Sequence, residues 1–365
     1  MAKRVSADKW LFTVTLLLVV VGLVMVFSAS AVMAKENPHY HSPYYFLMRQ
    51  FFWACAGVGV MLALMNVNYR RYRAPVVVFP LLSVTVLLLL SVFFLDRSHN
   101  THRWFRLGSV LSFQPSELAK LALILFLAWY LEQNNKQIQD WRTLIAPVSV
   151  TLVLSGLIAA QPDLGTAIAV FAIACTLLFV AGVQLKFYLW PVAVSPLVFY
   201  FLVWRVPWRK ERILAFLHPF DAPQGRGFHI IQSLIAVGAG GLAGAGLMEG
   251  KQKLFFLPEP HTDFIFAVTA EEFGLVGSLV VVALFGVFCW RGIRAAILSR
   301  DGFARYLATG ITAMVVIQAL FNISVVIAML PTKGIPLPFI SYGGSSLLVT
   351  LAAVGVLLNI TQQTD

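Results

Sequence analysis

A dense group of ionisable residues lies in the second half of the chain, where LPEPHTDFIF is followed by EEFG. Asp263 stands there at the point where a loop becomes a helix, with a phenylalanine directly after it. A helix N-terminus lowers the pKa of a carboxyl group, whereas apolar surroundings raise it. Capping of the helix is the structural alternative, but three further acids nearby favour a chemical role. The candidates for binding or acid–base chemistry here are Glu259, His261, Thr262, Asp263, Glu271 and Glu272.

A second group, PTKGIPLPFISYGGSS, follows near the C-terminus. Three prolines within eight residues exclude a regular helix here. Irregular backbone at membrane depth is tolerated where it lines a polar cavity. We therefore expect Lys333, with the serine and glycine groups around Ser341 and Tyr342, to face a phosphate-bearing ligand. A purely structural turn is the alternative.

Two shorter motifs complete the set of compact clusters. RWFRLG contributes Trp104 and Arg106, and QPSELAK places Glu117 and Lys120 three residues apart on one helix face, where they can form an ion pair. An interfacial anchor and a structural ion pair are the alternative interpretation. QPDLGT places Asp163 between two predicted helices, where it either caps the second helix or faces a ligand.

The elements that position these residues are predicted to be membrane helices. Of the 365 residues, 59% are hydrophobic and 12% are charged, against about 45–50% and about 25% in soluble proteins. Apolar runs of about 20 residues recur, each long enough to cross a hydrocarbon core of about 30 Å. Their unbroken character excludes the alternating pattern of a membrane β-barrel. The net charge of +11 does not indicate nucleic-acid binding, because no aromatic platform or soluble domain accompanies it.

The pattern predicts an all-α integral membrane protein with one membrane domain over residues 1–365 and about ten transmembrane helices. We expect these helices at 10–33, 46–66, 75–95, 115–132, 146–160, 164–182, 187–206, 263–290, 304–330 and 340–360. An even number of crossings puts both termini on the same side, predicted to be cytoplasmic. The short loops on that side are then basic, as the positive-inside rule requires.

The longest loop, about 207–262, is predicted between the seventh and eighth helices on the extracytoplasmic side. It is basic and contains Arg212, so it is either a solvated loop or part of a site for an anionic substrate. Within it, residues 228–247 are apolar and rich in glycine. Each glycine weakens a helix by about 1 kcal/mol relative to alanine, so we expect a re-entrant or interfacial segment rather than an eleventh crossing.

These stretches together resemble the SEDS family, the shape, elongation, division and sporulation proteins. RWFRLG, QPSELAK, QPDLGT, the LPE–HTDFIFAV–EEFG block and PTKGIPLPFISYGGSS occur in the order of that family. The resemblance extends from GLVMVFSAS in the first helix to the last helix. Lys333 in PTKG is similar to the division branch (FtsW-type), although the following Ile335-Pro336 also occurs in the elongation branch (RodA-type).

The resemblance implies a peptidoglycan glycosyltransferase that polymerises lipid II, a disaccharide-pentapeptide on undecaprenyl diphosphate. By its place in HTDF, Asp263 matches the essential aspartate of the family and is the expected base for the acceptor hydroxyl. A single inverting displacement would then release the diphosphate. The candidates for binding that diphosphate are Arg106, Lys120, Arg212 and Lys333. Those for orienting the sugar or holding a metal are Glu259, Glu271 and Glu272.

The resemblance also implies a location and partners: the bacterial cytoplasmic (inner) membrane, a class B penicillin-binding protein with transpeptidase activity, and other division proteins. No certain cofactor follows from the sequence, and a divalent cation is left open. Two other functions stay open as well. One is a transporter that flips the same lipid-linked precursor, since broken helices with intramembrane charges also suit transporters. The other is a scaffold that only recruits partners.

Overall fold

The computed structural model describes residues 7–363 except 39, 41, 96–102, 108–110 and 255, and for 106, 107 and 111 it describes the backbone only. Within this part, the helices are α1 Lys9–Glu36, α2 Tyr45–Met65, α3 Pro75–Leu95, α4 Pro115–Gln133, α5 Trp141–Ala160, α6 Leu164–Val180, α7 Leu189–Phe199, α8 Pro207–Leu217, α9 Phe228–Ala239, α10 Ile265–Leu298, α11 Gly302–Val326 and α12 Gly344–Thr361. A small antiparallel ribbon of β1 Phe105–Leu107 and β2 Leu111–Phe113 precedes α4.

A helix of the structure lies at each of the ten predicted positions, namely α1 to α7 and α10 to α12. Eight helical stretches in the described part are long and apolar enough to cross a membrane; α4 and α6 are the other two predicted crossings. α4 is not among the eight because it carries three charged residues, and α6 is not because it has only 17 residues. In the seventh crossing, a 3₁₀ turn, α7 and a π-helical turn together span Leu185–Trp204.

Several predicted helix ends differ from the structure. α5 begins earlier than predicted, at Trp141, because the Asp140 side chain caps it by accepting a hydrogen bond from the Arg142 N–H at 3.1 Å. α10 continues to Leu298, through basic residues that an apolar pattern does not include. α11 ends at Val326, before the predicted 330, because the chain turns with Ala328 at φ 54°.

The long loop contains two helices: α8, which was not predicted, and α9, which begins the segment expected to be re-entrant or interfacial. α9 has 12 residues, about 18 Å at 1.5 Å per residue, which is too short to cross a bilayer core. After it, the glycine-rich chain from Gly240 to Gly246 lies against α10, where Gly274 has φ 65° and ψ −161° and interrupts the helix.

The interruption of α10 is satisfied by this glycine-rich segment. Ala245 and Gly246 donate N–H groups to the carbonyls of Glu271 and Glu272 at 2.9 and 3.0 Å, and Leu275 donates to the carbonyl of Gly241 at 2.9 Å. Backbone groups freed at membrane depth need such partners. The segment therefore packs against α10 as part of the bundle.

Both described chain ends lie at the same end of the bundle. The Asp8 N–H donates to the Thr361 hydroxyl at 3.2 Å, and the Asp8 carboxylate accepts a hydrogen bond from Arg291 Nε at 2.7 Å. The opposite end gathers the N-termini of α4, α6, α10 and α12, and with them the predicted site residues. We call this opposite end the site end.

A buried ion pair on α4 is hydrogen-bonded to α11. Lys120 Nζ lies 2.9 Å from both carboxylate oxygens of Glu117 and donates to Gln318 Oε1 on α11 at 2.5 Å. Both charged side chains are about 2–3% exposed. A buried ion pair becomes strongly destabilising when one partner is removed, because the other charge is left uncompensated.

Lys120→Met is therefore expected to lower the free energy of unfolding by about 3–5 kcal/mol, because the Glu117 carboxylate loses its partner. The double variant Glu117→Gln/Lys120→Met should recover most of that loss. Thermal unfolding in detergent measures both. Arg73→Met is the control, since the Arg73 side chain in the Arg73–Glu132 pair is half exposed, and we expect its loss to cost about 1 kcal/mol or less. A double variant as unstable as Lys120→Met would contradict this view of the pair.

Candidate active site

Two neighbouring cavities lie at the site end. They share a wall formed by α8 and by the loop before α12, with Trp208, Arg212, Thr332, Lys333 and Gly334 on both sides. One has a volume of about 240 Å³ and is lined largely by apolar side chains. The other has a volume of about 360 Å³ and is lined by ionisable ones. We call them the apolar cavity and the polar cavity.

The apolar cavity lies between α6, α7 and α11. Ile168, Phe199, Val203, Phe321 and Val325 supply its apolar wall, one or two from each helix. Ile168 and Phe199 are also exposed on the outside of the bundle. The cavity therefore adjoins the lipid-facing flank of the protein, while Arg103, Asp163, Arg209, Arg212 and Lys333 line its polar end.

The polar cavity contains Asp263. This residue immediately precedes Phe264, which is the N-cap residue of α10 and makes no side-chain cap bond, so the Asp263 carboxylate is not used in capping. Its backbone carbonyl accepts a hydrogen bond from Asn322 Nδ2 at 2.8 Å. Across the cavity, Gly334 lies so close that a Cβ atom there would come 2.5 Å from Asp263 Oδ2. The carboxylate thus faces the cavity next to the loop that carries Lys333.

The environment of Asp263 favours its protonated form. Burial, and after it the negative charges of Glu259 and Asp163, raises the pKa of this carboxyl group to about 6, against the lowering effect of Arg103 and Arg212. The competition between the helix terminus and the apolar surroundings is thus decided by burial. A carboxyl group with a pKa near working pH is well suited to accept a proton.

Cations converge on the shared wall. Burial lowers the pKa of Lys333 to about 8; Asp163 opposes this effect, and the charges of Arg209 and Arg212 reinforce it. Arg209 and Arg212 lie over the Trp208 ring, with their Cζ atoms 4.9 and 5.2 Å from its centroid. Like charges held this close are stabilised by a bound anion.

Asp163 caps a helix and also lines a cavity. It caps α6 by accepting hydrogen bonds from the Thr166 N–H at 3.2 Å and the Thr166 hydroxyl at 2.9 Å, and it also lines the apolar cavity. Gln114 Nε2 donates to it at 3.2 Å. Its charge is therefore held in place by neutral donors close to Lys333.

Other predicted residues lie behind the cavities. Ser341 Oγ donates to the Thr262 carbonyl at 2.6 Å, and the Tyr342 N–H donates to the His261 carbonyl at 2.9 Å. The His261 ring packs against Phe46 and Tyr342, and burial lowers its pKa to about 4. The neutral His261 ring therefore helps to support the Asp263 loop. In that loop, Pro258 and Glu259 join Asp263 in lining the polar cavity.

A further set lies away from both cavities. Glu271 accepts the N–H groups of Lys251 and Gln252 at 2.7 to 3.2 Å, and Glu272 binds Ser28 and Lys253 at 2.5 to 2.8 Å. Glu117 and Lys120 form the buried pair described above. Trp104 is half-buried beside β1, and the side chain of Arg106 lies outside the described part of the structure, although its backbone pairs with Ser112.

The structure adds residues that the sequence analysis did not select. Arg103, Trp208 and Arg209 line the apolar cavity, and Arg226 and His229 line the polar one. Arg103 also donates to the carbonyls of Gln161 and Pro162, which ties the segment before β1 to the link between α5 and α6. The only signal in the sequence was the basic character of their loops, which does not separate cavity-lining from solvated cations.

Among the described residues, no cluster of three His, Cys, Asp or Glu side chains is placed to bind a metal ion. The polar cavity is lined by three carboxylates, those of Glu211, Glu259 and Asp263, which do not converge into such a cluster. That donor set fits a magnesium ion only if substrate phosphates complete its coordination, a common arrangement for this ion.

The fold and the site define a multi-pass helical membrane protein with a carboxylate, a group of cations and an apolar cavity brought together at one end. The chain belongs to the FTSW/RODA/SPOVE family of cell cycle proteins, whose model matches residues 8–365. It is similar to the probable peptidoglycan glycosyltransferase FtsW of Geobacter metallireducens, with 46% identity over 93% of this chain and 90% of that protein. It is also similar to stage V sporulation protein E of Bacillus subtilis, with 42% identity over 99% and 98%.

A solved structure shares the fold. That structure is described as showing the structural coordination of polymerization and crosslinking by a peptidoglycan synthase complex. The matching chain has a TM-score of 0.80 and 32% identity, over 98% of both chains. The predicted family membership and helical membrane fold are thus confirmed.

Asp263→Asn is expected to raise the midpoint of thermal unfolding at pH 7 by roughly 2–5 °C. The pKa of Asp263 is raised from 3.8 to about 6 in the folded protein, so ionisation destabilises the fold as pH rises through this interval. The difference between variant and wild type should therefore be present above pH 6 and vanish below about pH 4. Asp221→Asn, at an exposed position, is the control. A difference in unfolding midpoint between Asp263→Asn and wild type that persists unchanged at low pH would contradict a raised pKa of Asp263.

Proposed function

We propose that this chain is a peptidoglycan glycosyltransferase that polymerises lipid II during septal cell-wall synthesis. The observation that carries the proposal is the meeting of Asp263, a cation cluster and an apolar cavity at one end of a membrane bundle. These three features match the three parts of a polyprenyl-diphosphate-linked sugar: a hydroxyl that must lose a proton, an anionic diphosphate and an apolar tail. The names of the similar proteins support the same activity.

In the proposed reaction, Asp263 accepts the proton of the acceptor sugar hydroxyl. The hydroxyl oxygen forms a bond to the anomeric carbon of the donor while the bond from that carbon to the diphosphate oxygen breaks. The electron pair of the broken bond leaves with the diphosphate, and the proton stays on Asp263 until solvent removes it. A single displacement inverts the anomeric centre and needs no second carboxylate as nucleophile.

The cations stabilise the leaving group. Lys333 and Arg212 line both cavities, and Arg103 and Arg209 line the apolar one. Preorganised cations at the position where charge develops lower the barrier more than they would in water. We place the diphosphate at the shared wall and the first part of the polyprenyl chain in the apolar cavity between α6, α7 and α11.

The orientation follows from the charges at the end opposite to the site. That end carries many basic residues in short connections: Arg70, Arg71, Arg73, Lys136, Arg142, Lys186, Arg291, Arg294, Arg300 and Arg305. By the positive-inside rule this end is cytoplasmic. Both termini then lie in the cytoplasm of a bacterial cell, and the site faces outward across the inner membrane.

We further propose a partner with transpeptidase activity, a class B penicillin-binding protein, together with other division proteins. The similarity to a chain from a synthase complex that couples polymerization with crosslinking supports such a partner. The division role is supported by relatives named FtsW.

The defining experiment is polymerisation of labelled lipid II by the purified chain with its transpeptidase partner and a divalent cation. Asp263→Asn is expected to reduce the rate by at least about 10²-fold, the usual contribution of a general base, while lipid II binding is largely retained. Unfolding curves confirm that the variant is folded. Equal rates would remove Asp263 as the base, and lipid II movement across vesicles without polymer from either protein would favour the transporter instead.

The pH dependence tests the two assigned groups separately. We expect kcat/KM to rise with pH through about 6, as Asp263 loses its proton, and to fall through about 8, as Lys333 becomes neutral. Lys333→Arg should keep the acid limb and move the alkaline limb beyond pH 10, because arginine stays charged. An unchanged alkaline limb in Lys333→Arg would assign that limb to another group.

A further inference from the structure

Asn322 is a buried amide on α11, placed where two loops of the site meet. It is 2% exposed. Its Nδ2 donates to the carbonyl of Asp263 at 2.8 Å and to the carbonyl of Ile335 at 2.8 Å. One carbonyl belongs to the proposed base, and the other lies two residues after Lys333. A single side chain therefore links the loop of the base to the loop of the cation.

The two loops are in close contact on the cavity side of this link. A Cβ atom on Gly334 would come 2.5 Å from Asp263 Oδ2, so the backbone at Gly334 limits where the carboxylate can lie. Asn322 holds the residues on either side of this contact, Asp263 itself and the neighbour of Gly334. Asn322, which lies on the side of the two loops away from the cavity, therefore fixes the separation between the Asp263 carboxylate and the Lys333 loop.

α11 gives this link a rigid base. One helical turn before Asn322, Gln318 Nε2 donates to the carbonyl of Pro336 at 2.9 Å, and Gln318 Oε1 accepts from Lys120 at 2.5 Å. Lys120 is in turn held by Glu117. The loop before α12 is therefore fixed at two successive carbonyls by side chains on one face of a buried helix.

We infer that Asn322 is a positioning residue of the proposed reaction: it sets the place of Asp263 relative to Lys333 without touching the substrate. This inference rests on the proposed function. Asn322 lines neither of the two cavities. Its role is to supply two N–H donors to two buried carbonyls at once, which an aliphatic side chain of the same size does not provide. Displacement of a reacting group by about 1 Å lowers a rate by about 10²-fold.

A purely structural role makes a different prediction, and the chain contains a matched control. Asn359 on α12 is also buried, and it links a loop at the opposite end: its Nδ2 donates to the Met65 carbonyl at 2.8 Å, and its Oδ1 accepts the Tyr69 N–H at 2.8 Å. Asn359→Leu removes comparable hydrogen bonds far from the cavities. It should lower stability without a specific effect on turnover.

The experiment compares wild type, Asn322→Leu, Asn322→Asp and Asn359→Leu with lipid II as the probe. For Asn322→Leu we expect kcat to fall about 10–100-fold, with KM changed by less than about threefold, and a shifted acid limb in the pH profile. Asn359→Leu should keep the kcat and pH profile of wild type. Asn322→Asp has nearly the same shape and should also lose kcat, because a carboxyl group donates one hydrogen bond when protonated and none when ionised, so it cannot serve both carbonyls.

Hydrogen exchange keeps the inference independent of turnover. Loss of the Asn322 link should speed exchange in both residues 261–264 and residues 333–337, whereas Asn359→Leu should leave these segments unchanged. Wild-type kcat in Asn322→Asp, or an equal loss of kcat in Asn359→Leu, would overturn the positioning role. Inactive wild type with the expected exchange pattern would instead count against the proposed function and leave the link itself supported.

Discussion

The arrangement of this protein depends on the free-energy cost of burying charged side chains in a membrane bundle, because an isolated charge in hydrocarbon is strongly unfavourable. The described ionisable residues inside the bundle accordingly have partners. Glu117 binds Lys120, and Glu272 binds Lys253 and Ser28. Asp263 differs from these acids, since its carboxylate faces a cavity and burial raises its pKa to about 6. The desolvation that makes pairing necessary for the other acids thus prepares the Asp263 carboxylate to accept a proton.

The irregular parts of the chain obey the same constraint. α10 is interrupted at Gly274, and its backbone groups are satisfied by the glycine-rich segment after α9. The loop before α12 is held by Gln318, Asn322 and the Thr262 carbonyl. The first segment packs along α10, the helix that follows Asp263, and the second contacts the Asp263 loop directly. The polar interior of the site end thus provides both backbone satisfaction and a fixed frame for the carboxylate.

Two neighbouring cavities with one shared cationic wall suit a ligand that is apolar at one end and polar at the other. The apolar cavity lies among membrane helices, and the polar cavity lies under α8 and α9. A diphosphate at the wall would neutralise Lys333, Arg209 and Arg212, whose like charges oppose one another. The cation cluster is thus most favourable when the anion is present, which couples ligand binding to the order of the site.

The sequence by itself determined the membrane class, ten of the helices and the position of Asp263 in a motif, because hydrophobicity, proline placement and helix length are local properties. It also indicated that Asp163 caps a helix. It did not separate Lys333 and Arg212, which line both cavities, from Lys120, which pairs with Glu117 inside the bundle. Nor did it indicate Asn322, an ordinary polar residue in an apolar helix. Those distinctions depend on which groups meet across distant parts of the chain, so only the tertiary structure decided them.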